Sequence, residues 1–156
     1  MFKRVKTPCV GICSTGIGDQ VCRGCKRFAH EVIHWNSYTQ EQKQLITRRL
    51  ESFLVKVVSN KLRIVDRGQL LAAMRHQQLS FREEQDPYCW VFDLLKAGAS
   101  QIQDLSIYGL EYQREWEGVP LQQIKVEIDQ DFYTLSGAHY DRYFSFLPDG
   151  SASKTL

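Results

Sequence analysis

No stretch of this 156-residue chain approaches the roughly 20 consecutive apolar residues that a membrane-spanning helix needs, so no such helix is expected. The opening Met1-Phe2-Lys3-Arg4-Val5-Lys6 is basic, but no apolar run follows it, and the chain reads as lacking a signal peptide. There is no internal repeat and no low-complexity tract, which argues against a solenoid or a disordered tail protein. Gly16-Ile17-Gly18 lies between cysteines and precedes no long helix, so a phosphate-cradling loop is absent. A Ser/His/Asp or Cys/His catalytic set cannot be assembled either. Cys89 beside Trp90, and His139 near Asp141, are isolated pairs, and Cys89 reads as a small buried hydrophobe. Acidic residues are scarce in the first part of the chain. Residues 1–63 carry twelve Lys and Arg against four acids, a net charge of +8 that leaves −6 on the remainder.

Against these absences stands an ordinary globular composition, 43% apolar and 24% charged, enough for one domain or two very small ones. A soluble, reducing, cytoplasmic setting is the expectation, and there clustered cysteines favour a metal over disulfides. Four of the five cysteines are clustered: Cys9-x3-Cys13, eight further residues, then Cys22-Arg23-Gly24-Cys25. Two close pairs joined by a short loop suit a four-thiolate site, each pair curling round the ion so that the two meet at tetrahedral angles. Gly24 allows a turn closed to other residues and lets amide N–H groups approach the sulfurs.

The spacing of Cys25, Phe28, Val32 and Trp35 predicts a helix from about Cys25 to Asn36, one face of which covers the metal. Thr39-Gln40-Glu41-Gln42 reads as a capping box. It opens a second helix to about Ser59, with Leu45, Ile46, Leu50, Phe53, Leu54, Val57 and Val58 as its apolar stripe. Residues 69–79 and 87–96 read as two further helices, the latter ended by Gly98. Four strands are then expected, at 105–112, 121–128, 132–135 and 142–147. The alternation of Ile124, Val126 and Ile128 with Lys125, Glu127 and Asp129 supports the second of these. Asp129-Gln130-Asp131 and Pro148-Asp149-Gly150 are turn chemistry, and residues 151–156 are expected to fray. The expected fold class is α+β. A four-cysteine metal-binding domain with a helical hairpin occupies residues 1–60. An α+β domain of unknown role, two short helices and a small antiparallel β-sheet, occupies residues 61–156.

Residues Pro8-Cys9-Val10-Gly11-Ile12-Cys13, Asp19 and Cys22-Arg23-Gly24-Cys25-Lys26-Arg27, followed by Glu31, Trp35, Glu41, Ile46 and Leu50, resemble the bacterial domain-of-unknown-function family 1289. Its members are described as predicted iron–sulfur proteins. This chain departs from the pattern at Phe28, where members often carry Thr, and in the Gly-rich loop from Ser14 to Val21. The resemblance covers about 55 residues, implies an iron–sulfur centre on Cys9, Cys13, Cys22 and Cys25, and brings no established reaction.

The cofactor is accordingly expected to be one centre held by those four cysteines, either Zn2+ or an iron–sulfur cluster. Its main role is structural, with an unidentified protein partner, no membrane partner and no catalysis of its own. Two other functions remain open. One is an iron–sulfur redox or iron sensor; the other is nucleic-acid binding through Arg23, Lys26, Arg27, Arg48 and Arg49. His30-Glu31-Val32-Ile33-His34 matches the H-E-x-x-H helix of zinc proteases. It has no upstream edge strand for a peptide and no third ligand, so the two histidines are expected to face solvent.

Overall fold

The computed structural model describes residues 4–144. A left-handed residue decides where its first helix begins. Lys26 has φ +67°, a conformation no helix continues through. The chain therefore closes a turn, with Lys26 N–H on Cys22 O at 2.9 Å and Cys22 N–H on Arg27 O at 2.8 Å. Helix α1 spans only Ala29–His34, not the longer segment expected from Cys25. Glu31 accepts the N–H of Phe28 at 2.9 Å and so caps its start. A 3-10 turn, Trp35–Ser37, ends it. The capping box then forms as expected: Thr39 N–H on Gln42 Oε1 at 2.9 Å, and Gln42 N–H on Thr39 Oγ1 at 3.1 Å. Helix α2 runs Gln40–Ser59 and buries Ile46, Leu50, Phe53, Val57 and Val58, while Leu45 is exposed.

Strand β1, Leu62–Ile64, is too short to have shown a period-two signal. Helix α3, Arg67–His76, starts two residues earlier than expected because Asp66 caps it, its carboxylate accepting Gln69 N–H at 3.0 Å. Helix α4, Pro87–Gly98, begins at Pro87 as expected, with Asp86 as its N-cap, and buries Cys89, Trp90, Val91, Phe92, Leu94 and Leu95. The strand expected at 105–112 is half turn: a 3-10 segment, Leu105–Tyr108, then Gly109 at φ +67°, then β2, Leu110–Tyr112. A side chain at Gly109 would also strike the carbonyl of Asp66. β2 pairs antiparallel with β1 in the register Leu62↔Tyr112 and Ile64↔Leu110.

The strands expected at 121–128 and 132–135 are not strands. Helix α5 runs unbroken from Leu121 to Tyr143, through Asp129-Gln130-Asp131 and through Arg142 of the last expected strand. Leu121, Ile124, Ile128, Phe132 and Ser136 are its buried stripe, at helical spacings of three and four, whereas Val126 is 60% exposed. The alternation at 124–128 holds equally for i and i+4 on one helix face, and Pro120, whose carbonyl accepts from Gln123 and Ile124, starts the first turn. The expected strand beyond Phe144, the turn at 148–150 and the fraying tail lie outside the described residues.

The fold is α+β, with five α-helices and one two-stranded antiparallel sheet among the described residues. None of these helices is long and apolar enough to cross a membrane. The described residues group into two units: those up to Phe53 together with those from Phe132 onward, and residues 54–131. In the first, Val21, Phe28 and Phe144 are buried together under Tyr133 and Tyr140. In the second, Leu62, Leu70, Met74, Trp90, Leu95, Leu110 and Ile124 are buried. Lys61 is buried there as well, bonded to Asp131 Oδ2 at 2.5 Å and lying 4.8 Å over the ring of Trp116.

Candidate metal centre

The second cysteine pair lies in a tight, hydrogen-bonded turn. Burial by itself pushes the Cys22 thiol up, but backbone N–H groups of Cys25, Ser14 and Gly24 bond to its sulfur, joined by the Cys25 thiol. Together they more than offset burial and lower its pKa to about 7. Carbonyls of the same turn are held by a cation. The ammonium of Lys26, itself buried, donates to Arg23 O at 2.5 Å and to Gly24 O at 3.1 Å. The Cys25 thiol is pushed up by burial, with the hydrogen bond and charge of Arg27 acting against that shift.

The loop that carries the first pair is packed on this turn. A Cβ at Gly24 would collide with the carbonyl oxygen of Ile12 and press on Val10, so the two loops approach only because residue 24 has no side chain. Arg23 N–H donates to Ser14 Oγ at 2.8 Å, and Cys22 Sγ lies 3.5 Å from Ile12 O. Cys9 and Cys13 are nevertheless exposed. Gly11 N–H bonds to Cys9 Sγ at 3.4 Å, and Cys13 Sγ lies 3.1 Å from Thr15 Oγ1. Among the described residues no three His, Cys, Asp or Glu side chains are gathered closely enough to hold a metal ion. Cys22 and Cys25 are buried in the turn, and the loop that carries the exposed Cys9 and Cys13 lies against it; thiols are the donor type that a zinc ion or an iron–sulfur cluster takes.

Residues 7–53 match the family described as "Protein of unknown function (DUF1289)". No curated protein and no solved structure matches. The DUF1289 segment contains all four clustered cysteines, α1 and the first part of α2.

The five cations singled out in the DUF1289 segment do not share a surface role. Arg23 is exposed beside Asp19, 3.2 Å away, and Arg48 is exposed. Lys26 and Arg27 are buried. Arg49 closes on Glu31 with both terminal nitrogens, at 2.6 and 2.7 Å. The H-E-x-x-H match is taken apart in the same way. Glu31 is occupied by Arg49 and by Phe28 N–H, and His34 is exposed. His30, expected in solvent, is only 7% exposed, lying 5.1 Å from the ring of Phe144 and 5.8 Å from that of Phe28. The cover comes from the end of α5, which had been expected to be a strand. Ser14, whose backbone and hydroxyl tie the two cysteine loops, carries no sequence signal beyond following Cys13.

Proposed function

We propose that the protein is a four-cysteine metal-binding protein, Cys22 and Cys25 supplying one ligand pair and Cys9 and Cys13 the other. The centre acts as the structural nucleus of its N-terminal segment. One observation carries this reading: the turn that holds Cys22 and Cys25 packs directly on the loop that holds Cys13, with Arg23 N–H donating to Ser14 Oγ at 2.8 Å and Gly24 leaving room for the carbonyl of Ile12, and backbone hydrogen bonds lower the Cys22 pKa to about 7. Amide donors arranged in this way favour a charged sulfur, which is the form that binds metal. Metal affinity would add folding free energy to a small unit with a limited apolar core.

The test is elemental analysis with an absorption spectrum on anaerobically purified protein. One zinc per chain and no colour identifies a zinc centre; iron, labile sulfide and broad visible absorbance identify a cluster. Cys22→Ser is expected to release either one. A chain that binds neither, with all its thiols open to a thiol reagent, defeats the reading.

A further inference from the structure

Arg27 is a buried cation. It is 4% exposed, and among the described residues no carboxylate pairs with it. The other arginines of the same segment are treated differently: Arg23 has Asp19, Arg49 has Glu31, and Arg48 is exposed. Two contacts of the Arg27 side chain bear on its charge. Its guanidinium lies 4.9 Å over the ring of Trp35, and its Nε–H donates to Cys25 Sγ at 3.2 Å. Lys43, also buried, lies 5.5 Å over the same ring, so two cations share Trp35 and neither is neutralised by it. A charge taken out of water is tolerated when an opposite charge meets it, and a neutral thiol is a weak acceptor that supplies none.

We infer that Arg27 is the counter-ion of an anionic thiolate centre, its Nε–H fixing the sulfur of Cys25 and its charge balancing the excess negative charge of the bound metal site. This rests on the four-cysteine reading above. Four thiolates around one divalent ion leave a charge of about −2, and a four-cysteine iron–sulfur cluster is anionic as well, so both give Arg27 the partner it lacks. Arg27 is then a positioning residue for the centre. Its planar fork over Trp35 gives it a fixed direction that a lysine ammonium does not reproduce.

The full-length protein, reduced and stripped of metal, is titrated with Co2+ alone in the presence of a competing chelator. The sulfur-to-cobalt charge-transfer absorption reports thiolate coordination, and Zn2+ displacement gives the zinc affinity. Arg27→Gln is expected to weaken binding roughly 10–100-fold, as losing an outer partner of a metal ligand does, with Arg27→Lys in between. Saturating metal should restore the wild-type helical circular dichroism to both. If the glutamine variant does not fold, the lysine variant carries the same comparison. Equal affinities for wild type and variants, with lowered melting temperatures in both metal-free and metal-bound protein, make Arg27 packing only and overturn the inference while the four-cysteine reading stands. A wild-type chain that gives no charge-transfer band overturns both.

Discussion

The guanidinium of Arg49 grips the carboxylate of Glu31 with two parallel hydrogen bonds while lying 4.2 Å over the ring of Phe28. The Glu31 side chain is 1% exposed and that of Arg49 16%, so the two ends of the pair are not equally expendable. Arg49→Met strands a carboxylate with only the Phe28 N–H for company. It is expected to cost about 3–5 kcal/mol in urea unfolding, the range for breaking a buried pair. Glu31→Gln strands the less buried member and should cost less. The double variant should recover part of the loss, because no charge is left stranded. Additive losses would show that the pair acts as two independent contacts.

His30 and His139 both lie against the Phe28 ring, with centroids 5.8 Å away in each case. Burial holds both below the usual imidazole range. Arg49 pushes each further down and Glu31 pulls each up, with His34 adding to the depression of His30 and Arg142 to that of His139. A depressed folded pKa means that the unfolded chain takes up the proton first. Stability from these groups is present above the unfolded value near 6.5 and is lost as pH falls below it. Urea midpoints should therefore drop between pH 7 and pH 5.5. His30→Phe with His139→Phe should flatten that slope, and an equal slope in the variant would assign it to other groups.

Gly24→Ala places a methyl group against the carbonyl of Ile12 and should part the loops that carry the two cysteine pairs. The expected result is weaker zinc binding together with a lower melting temperature. Gly16→Ala, in the same region but with open space around the added atom, should stay within about 0.5 kcal/mol of the parent. Identical behaviour of the two variants would remove the close approach as a determinant.

On α5, Ile128 is fully buried and Val126 points to water. Ile128→Ala is expected to cost about 2–5 kcal/mol in chemical denaturation, whereas Val126→Ala should be near neutral. A strand through 124–128 would turn both side chains to one face and make both changes costly.

Much of the N-terminal segment was legible because its signals are local. The Thr39 capping box, the length of α2 and the start of α4 at Pro87 each depend on residues a few positions apart, and each forms as read. The cysteine spacing and the need for glycine at position 24 are of the same kind. Misreadings arose where local evidence was degenerate. Ile124, Val126 and Ile128 satisfy a two-residue and a four-residue repeat at once, and only the burial of Phe132 and Ser136 along the same stripe separates them. The fate of the cations could not be read at all, since Lys, Arg and Glu look alike in sequence whether they face water or close on each other.

What the chain determined by itself was the starts of α2 and α4, its α+β class and four closely spaced thiols, because caps, turns and residue spacing are short-range chemistry. What the tertiary structure decided was which side chains enter the interior. The end of α5 covers Phe28 and His30, Glu31 is consumed by Arg49, and Arg27 is left buried against a cysteine sulfur. Those outcomes depend on which groups meet out of water, where an unmatched charge has a cost that no local pattern records.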